Sequence, residues 1–245
     1  MVSSEDINAL DRAARAELTI TPREKRWTHL SLCVVDAVFS INAKYSAVVQ
    51  VCYRYALHAS LPGALLATAG ASAVVGTAKE QRLDAFVHDV RTIGVERFAT
   101  NVIGNRQRTS TRGGVLKAEA ALSYAMVLVK HNVQTIGDAA ALLGDDARVD
   151  GVEAELAAVR GHGSGARLNY LWMLAGDDQH MKPDRMVLRW IARHLRPVHV
   201  AEARELVVTT AARLGCTPWE LDHAIWRTES RRRVSGVTSL RPLHL

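Results

Sequence analysis

Apolar residues return every three or four positions along most of this chain, and that regularity constrains the fold more than any other feature. Ala118, Ala121, Leu122, Ala125, Met126 and Val129 make one such stripe. Six prolines in 245 residues leave long stretches free to stay helical. No run of alternating β-branched residues and no Asn-Gly turn marks a hairpin. The pattern predicts an all-α fold. Ser4, ahead of Glu5 and Asp6, reads as the cap of a first helix reaching about Leu18. Pro22 opens a long apolar helix from Trp27 to Ser40, and a third runs from Lys44 to about Ala59. Further helices fall near 79–92, 95–103, 116–131, 135–143, 149–160, 164–175, 184–195, 200–214 and 217–229. Trp172, Trp190, Trp219 and Trp226 sit at helical apolar spacings and read as core.

Composition narrows the function classes. No apolar run reaches the roughly 18–20 residues that a membrane span needs, so no membrane partner is expected. The first residues are polar and acidic, unlike a secretory signal. Cys33, Cys52 and Cys216 lie too far apart for a disulfide framework or a four-thiolate cluster, which fits a cytoplasmic location. No histidine pair has ligand spacing beside an acid, so neither metal nor cofactor is expected. Net charge is +6, and residues 189–245 hold ten arginines, no lysine and five acids. A guanidinium surplus suits phosphate, and it suits a solvated face as well.

Two segments break the helical run. One is Asn105-Arg-Gln-Arg-Thr-Ser-Thr-Arg-Gly-Gly114, in which Arg106, Arg108 and Arg112 have the charge to track phosphates. The other is Gly161-His-Gly-Ser-Gly-Ala166. Its glycine spacing fits a dinucleotide fingerprint, but that motif needs a strand before the first glycine. Val152-Glu-Ala-Glu-Leu-Ala-Ala-Val159 reads as helix instead, and Asp184 opens a helix rather than ending a strand. Helix, glycine turn, helix reads as a hairpin that holds a DNA phosphate, or as a plain glycine-rich turn between two helices. Its glycines let the backbone approach closely, and the N–H groups of the following helix face the anion.

The elements around this turn resemble the helix–hairpin–helix DNA glycosylases of the endonuclease III superfamily. Val159-Arg-Gly-His-Gly163 looks like the family hairpin, and Pro183-Asp-Arg-Met-Val-Leu-Arg189 like its aspartate-led helix. Ala37-Val-Phe-Ser-Ile-Asn-Ala43 is similar to the Ser-x-Gln-Ala element, and Lys117-Ala-Glu119 to Lys-Ala-Glu. The resemblance runs in order from about residue 30 to 195. It implies two helical lobes with a DNA cleft between them, residues 31–176 forming a central barrel and 1–30 plus 177–245 the second lobe. It implies double-stranded DNA as partner, a monomer, and Asp184 as the catalytic carboxylate; Asp184 also reads as a plain helix N-cap. Gly161, His162, Gly163 and Gly165 would hold the phosphate. Asn42 would fill the gap behind an extruded base, or simply cap a helix. Lys44 would lie on the phosphate path and Tyr45 in the base pocket.

The departures carry information too. Arg160 stands where proline is usual and His162 where a small apolar residue is common. Bifunctional members place a lysine at the position of Gly165, and its absence removes the Schiff-base nucleophile for strand cleavage. Cys216 stands alone after Cys52, so the iron–sulfur loop of some members is absent. The expectation is a monofunctional glycosylase without cofactor, acting on a repair lesion or on a hypermodified base of phage DNA. The alternative is a helix–hairpin–helix protein that binds DNA without catalysis.

Overall fold

The computed structural model describes residues 2–23, 25–63, 65–67, 79–162 and 166–238. The described chain is predominantly helical and divides into two units, Arg23–Asp177 and Met1–Pro22 with Asp178–Leu245. Gly163 and Gly165 lie outside the described residues.

The larger unit is built on α2 (Leu30–Phe39), whose sequence LSLCVVDAVF is apolar but for Ser31 and Asp36 and whose residues are all buried. Against it pack α3 (Tyr45–His58), α4 (Leu83–Ile93), α6 (Lys117–Lys130) and α9 (Ala166–Leu174). Between α4 and α6, a short α5 (Val95–Arg97) runs into a π-helical turn, Phe98–Val102. Then come α7 (Ile136–Leu143) and α8 (Asp146–Ala157), each started by a side-chain cap, Thr135 and Asp145. The cap at Asp145, which accepts from the Arg148 N–H, starts α8 three residues ahead of its expected 149.

The polar side chains that enter this core find partners. The His29 ring accepts from the Gln81 N–H at 2.9 Å, and Ser31 donates to the Gln81 side chain at 2.8 Å. Glu80 Oε1 accepts from the amides of Leu30 and Ile136, joining the heads of α2 and α7. Burial raises the Glu80 carboxyl above its usual range, and the two amide bonds pull it back.

The smaller unit joins α1 (Ser4–Glu17) to α10 (Arg185–His194), α11 (Val200–Leu214) and α12 (Pro218–Thr238). Its core is Ile7, Leu10 and Ala14 of α1 with Val187, Trp190, Ile191, Leu206, Val207 and Leu221, among others. Glu17 receives Arg193 at 3.1 Å and Arg232 at 2.7 Å, and pairs with His194. Arg227 reaches Thr21 at 3.3 Å.

Three expectations need correction. Ser3, not Ser4, caps α1, because a capping box needs an acid three residues on, and Ser3 has Asp6 there where Ser4 would have Ile7. The helix expected from Trp27 begins only at Leu30. Lys25–Trp27 is instead a strand, β1, paired antiparallel with β2 (Leu65–Ala67). Two three-residue strands joined across forty positions leave no periodic trace. Trp172 and Trp190 are fully buried, but Trp219 and Trp226 are half-buried and flank the His223 ring, with centroids 4.8 and 5.8 Å away. No helix among the described residues is long and apolar enough to cross a membrane.

Candidate functional site

Where α2 ends, the chain makes a tight turn that exposes Asn42. Its φ of 53° is left-handed, a conformation asparagine tolerates better than most side chains. Lys117 holds this turn from below. Its buried ammonium donates to the carbonyls of Phe39 at 2.9 Å and Ile41 at 2.7 Å, and to Gln107 Oε1 at 3.1 Å. A cation at a helix C-terminus satisfies carbonyls that have no partner within the helix. Lys44 then caps α3 and, like Asn42, is exposed.

Tyr45 follows, with 42% of its surface exposed and its hydroxyl turned in towards Asp36. Asp36 is fully buried in α2. Its Oδ2 accepts from the Trp27 indole at 2.8 Å and from the Tyr45 hydroxyl at 3.5 Å. The Tyr170 hydroxyl bonds to Asp36 and to Tyr45. Burial, reinforced by the negative charge of Asp36, raises both tyrosines far above their usual range, so they stay protonated donors. The same two causes keep the Cys33 and Cys52 thiols protonated. Sequence reasoning missed Asp36, Trp27 and Tyr170. The available signal was Asp36 itself, an acid inside an otherwise apolar helix.

The basic loop and the glycine turn meet in the same unit. The loop is pinned by Thr109 N–H to Val115 O at 2.9 Å, Lys117 N–H to Gln107 O at 2.8 Å, and the Arg108 guanidinium to Gly114 O at 2.8 Å. Arg106 pairs with Glu96 at 3.0 Å, and Arg112 is exposed. Gly161 takes φ +83°, and a Cβ added there would stand 2.5 Å from Thr109 Oγ1. Glycine therefore lets the loop seat against the turn at residue 161. The buried Arg167 donates to the Gly161 carbonyl. His162 is turned inward: Nδ1 lies 2.5 Å from the Tyr124 hydroxyl, the rings stack, and the Leu156 backbone takes a second bond. Burial, then the Arg167 charge, lowers its pKa, so the ring is neutral at neutral pH and brings no charge to a phosphate. Arg108 and Arg160 border a shallow groove of about 490 Å³ with Gly113, Gly114 and Glu119.

Asn42, Lys44, Tyr45, Arg106, Arg108, Arg112, Gly161 and His162 thus belong to one unit. Lys117 and Gln107 link the Asn42 turn to the basic loop, and Thr109 links that loop to Gly161.

Asp184 belongs to the smaller unit and is the N-cap of α10. Its Oδ1 accepts from the Met186 N–H at 2.7 Å and the Val187 N–H at 3.4 Å. Near it sits Asp222, buried in α12, whose Oδ2 accepts from the Lys182 N–H at 2.6 Å. Burial first, then the charge of Asp184, pushes the Asp222 carboxyl up to about 7, against the opposing pull of Lys182. Among the described residues no group of three histidine, cysteine or acidic side chains is arranged to hold a metal ion.

These features define a predominantly helical protein of two units, one with an aspartate-capped helix and the other with a basic loop seated on a glycine turn. The family model described as Domain of unknown function (DUF8548) matches residues 6–230, and the chain belongs to that family. No curated protein and no solved structure matches it.

Proposed function

We propose that this protein is a monofunctional DNA glycosylase that extrudes a base from double-stranded DNA and hydrolyses its N-glycosidic bond. The observation that carries this reading is Asp184, a carboxylate fixed by two backbone N–H groups at the head of a helix. Both bonds fall on Oδ1, and Oδ2 is the oxygen we assign to the sugar. Breaking the bond leaves positive charge on the deoxyribose, and a fixed negative charge stabilises it. Asp184 also orients the attacking water. Asn42, exposed on a turn braced by Lys117, fills the gap behind the flipped nucleotide, and Tyr45 offers a ring for the base to stack on. The hairpin backbone, Arg108 and Arg112 grip phosphates, which positions the protein without reading sequence.

The product is an abasic site in an unbroken strand. Residue 165 is glycine, and the Lys117 ammonium is bound to three oxygens inside the larger unit. The base is either a repair lesion or a hypermodified base of foreign DNA, and the protein acts as a cytoplasmic monomer.

The test is single-turnover excision on a panel of modified duplexes, including phage DNA with modified cytosines. Asp184→Asn keeps the cap and removes the charge. Its excision rate should fall by about 10²–10³ while DNA affinity holds. Borohydride should trap no protein–DNA adduct. Full activity in the asparagine variant removes Asp184 from catalysis, and a strong adduct overturns the monofunctional reading. Binding with no abasic product on any DNA favours a non-catalytic DNA-binding protein.

A further inference from the structure

We propose that Asp222 is a positioning residue for Asp184, gripping the backbone at Lys182 from α12 and fixing the turn that presents Asp184 at the head of α10. This inference rests on the catalytic reading of Asp184. The segment leading to Asp184 is held at both ends by the first turns of α12. Asp178 O accepts from the Trp219 N–H at 3.2 Å, and the Lys182 N–H donates to Asp222 Oδ2 at 2.6 Å. Lys182, Pro183 and Asp184 then close a three-residue turn, the Asp184 N–H donating back to Lys182 O at 2.6 Å. Proline at its centre has its φ fixed in advance. Lys182 N–H therefore belongs to Asp222 and Lys182 O to Asp184. The two bonds flank the Cα of Lys182, so a displacement of that residue would disturb both.

Asp222 is 5% exposed, and no salt bridge among the described residues includes it. The charged groups that face it are Asp184, from the head of α10, and Lys182, from the connecting segment. The buried faces of α10 and α11 that pack on α12 are uncharged, with Met186, Val187, Trp190 and Ile191 on one and Ala203, Leu206, Val207, Thr210 and Ala211 on the other. Ionisation of Asp222 near pH 7 changes the charge beside Asp184.

Two variants separate the grip from the charge. Asp222→Asn keeps an oxygen for the Lys182 N–H and stays neutral, whereas Asp222→Ala removes the acceptor. On a duplex that the wild type processes, Asp222→Ala should slow single-turnover excision about 10- to 100-fold with DNA affinity unchanged. Asp222→Asn should stay within about threefold of wild type. Equal damage in both variants, or none in alanine, overturns the proposal. A second readout needs neither activity nor the alanine variant. In the wild type, the ¹³C carboxyl signal of Asp184 should show an inflection near pH 7, and Asp222→Asn should abolish it. A wild-type signal without that inflection, or one that keeps it in the variant, refutes the coupling even if excision is seen. If the inflection behaves as expected but no DNA is processed, the glycosylase reading fails while the proximity of Asp222 to Asp184 stands.

Discussion

Asp222 makes folding depend on pH with a definite sign. Its carboxyl titrates near 3.8 when exposed and near 7 when folded. Between those values the folded chain holds a proton that the unfolded chain has released, so stability falls as pH rises through this window and levels off above it. Integrated over the window the loss is about 4 kcal/mol at most. Asp222→Asn stays neutral throughout. Its melting temperature should exceed that of the wild type at pH 8, and the gap should close towards pH 4. A gap of the same size at both pH values would mean that Asp222 does not titrate in this range. Asp184 was legible in the sequence because N-capping is local: an acid after a proline and before an apolar stripe defines the site. Asp222 was not. An acid on a helix looks the same whether it meets solvent or a peptide N–H forty residues away.

Helices followed from i, i+3 and i, i+4 spacing because each buries one face, and that rule operates within a dozen residues. It says nothing about β1 and β2, whose pairing is purely long-range, or about the π turn at Phe98–Val102, which adds one residue to a helical register. The lysine that opens α6 has a structural part that its sequence position does not disclose. Lys117 reaches out of its own helix to close the end of another. Lys117→Met keeps the stem and deletes the three charge-assisted bonds, which should cost about 2–4 kcal/mol and lower the melting temperature by several degrees. It should also slow excision from duplex more than from single strands, because the turn that presents Asn42 loosens. Equal loss on both substrates would leave the lysine a purely structural role. Gly161→Ala strains a φ of +83° and drives a methyl into Thr109. DNA affinity should fall similarly on all sequences, with a shallower salt dependence. Adding Thr109→Gly should relieve the collision and restore part of the affinity. No recovery would mean that the loop and hairpin bind independently.

Each unit encloses a core of its own, and the two cores differ in how the chain supplies them. The larger comes from one continuous stretch, Arg23–Asp177. Arg23–Leu30 packs with it because Arg23 donates to Met173 O at 2.6 Å and Trp27 to Asp36. The smaller core is sewn from both ends of the sequence: Ile7, Leu10 and Ala14 of α1 pack with α10 and α11, and Glu17 gathers Arg193, His194 and Arg232. Burying one large aliphatic side chain contributes about 1.5–3 kcal/mol, so losing Ile7 and Leu10 together removes a large share of a small unit's stability. Deleting residues 1–22 should therefore melt α10–α12 and leave the larger unit folded, seen as near-complete loss of amide protection in residues 178–238 alone. The converse fragment, residues 23–177, should fold cooperatively by itself. It retains Asn42, Arg108, Arg112 and the hairpin, so it should bind duplex DNA, with affinity that falls steeply with salt. It lacks Asp184, so it should release no base from any DNA that the whole protein processes. Excision by that fragment would place the catalytic carboxylate in the larger unit, where Asp36 is the buried acid beside Tyr45.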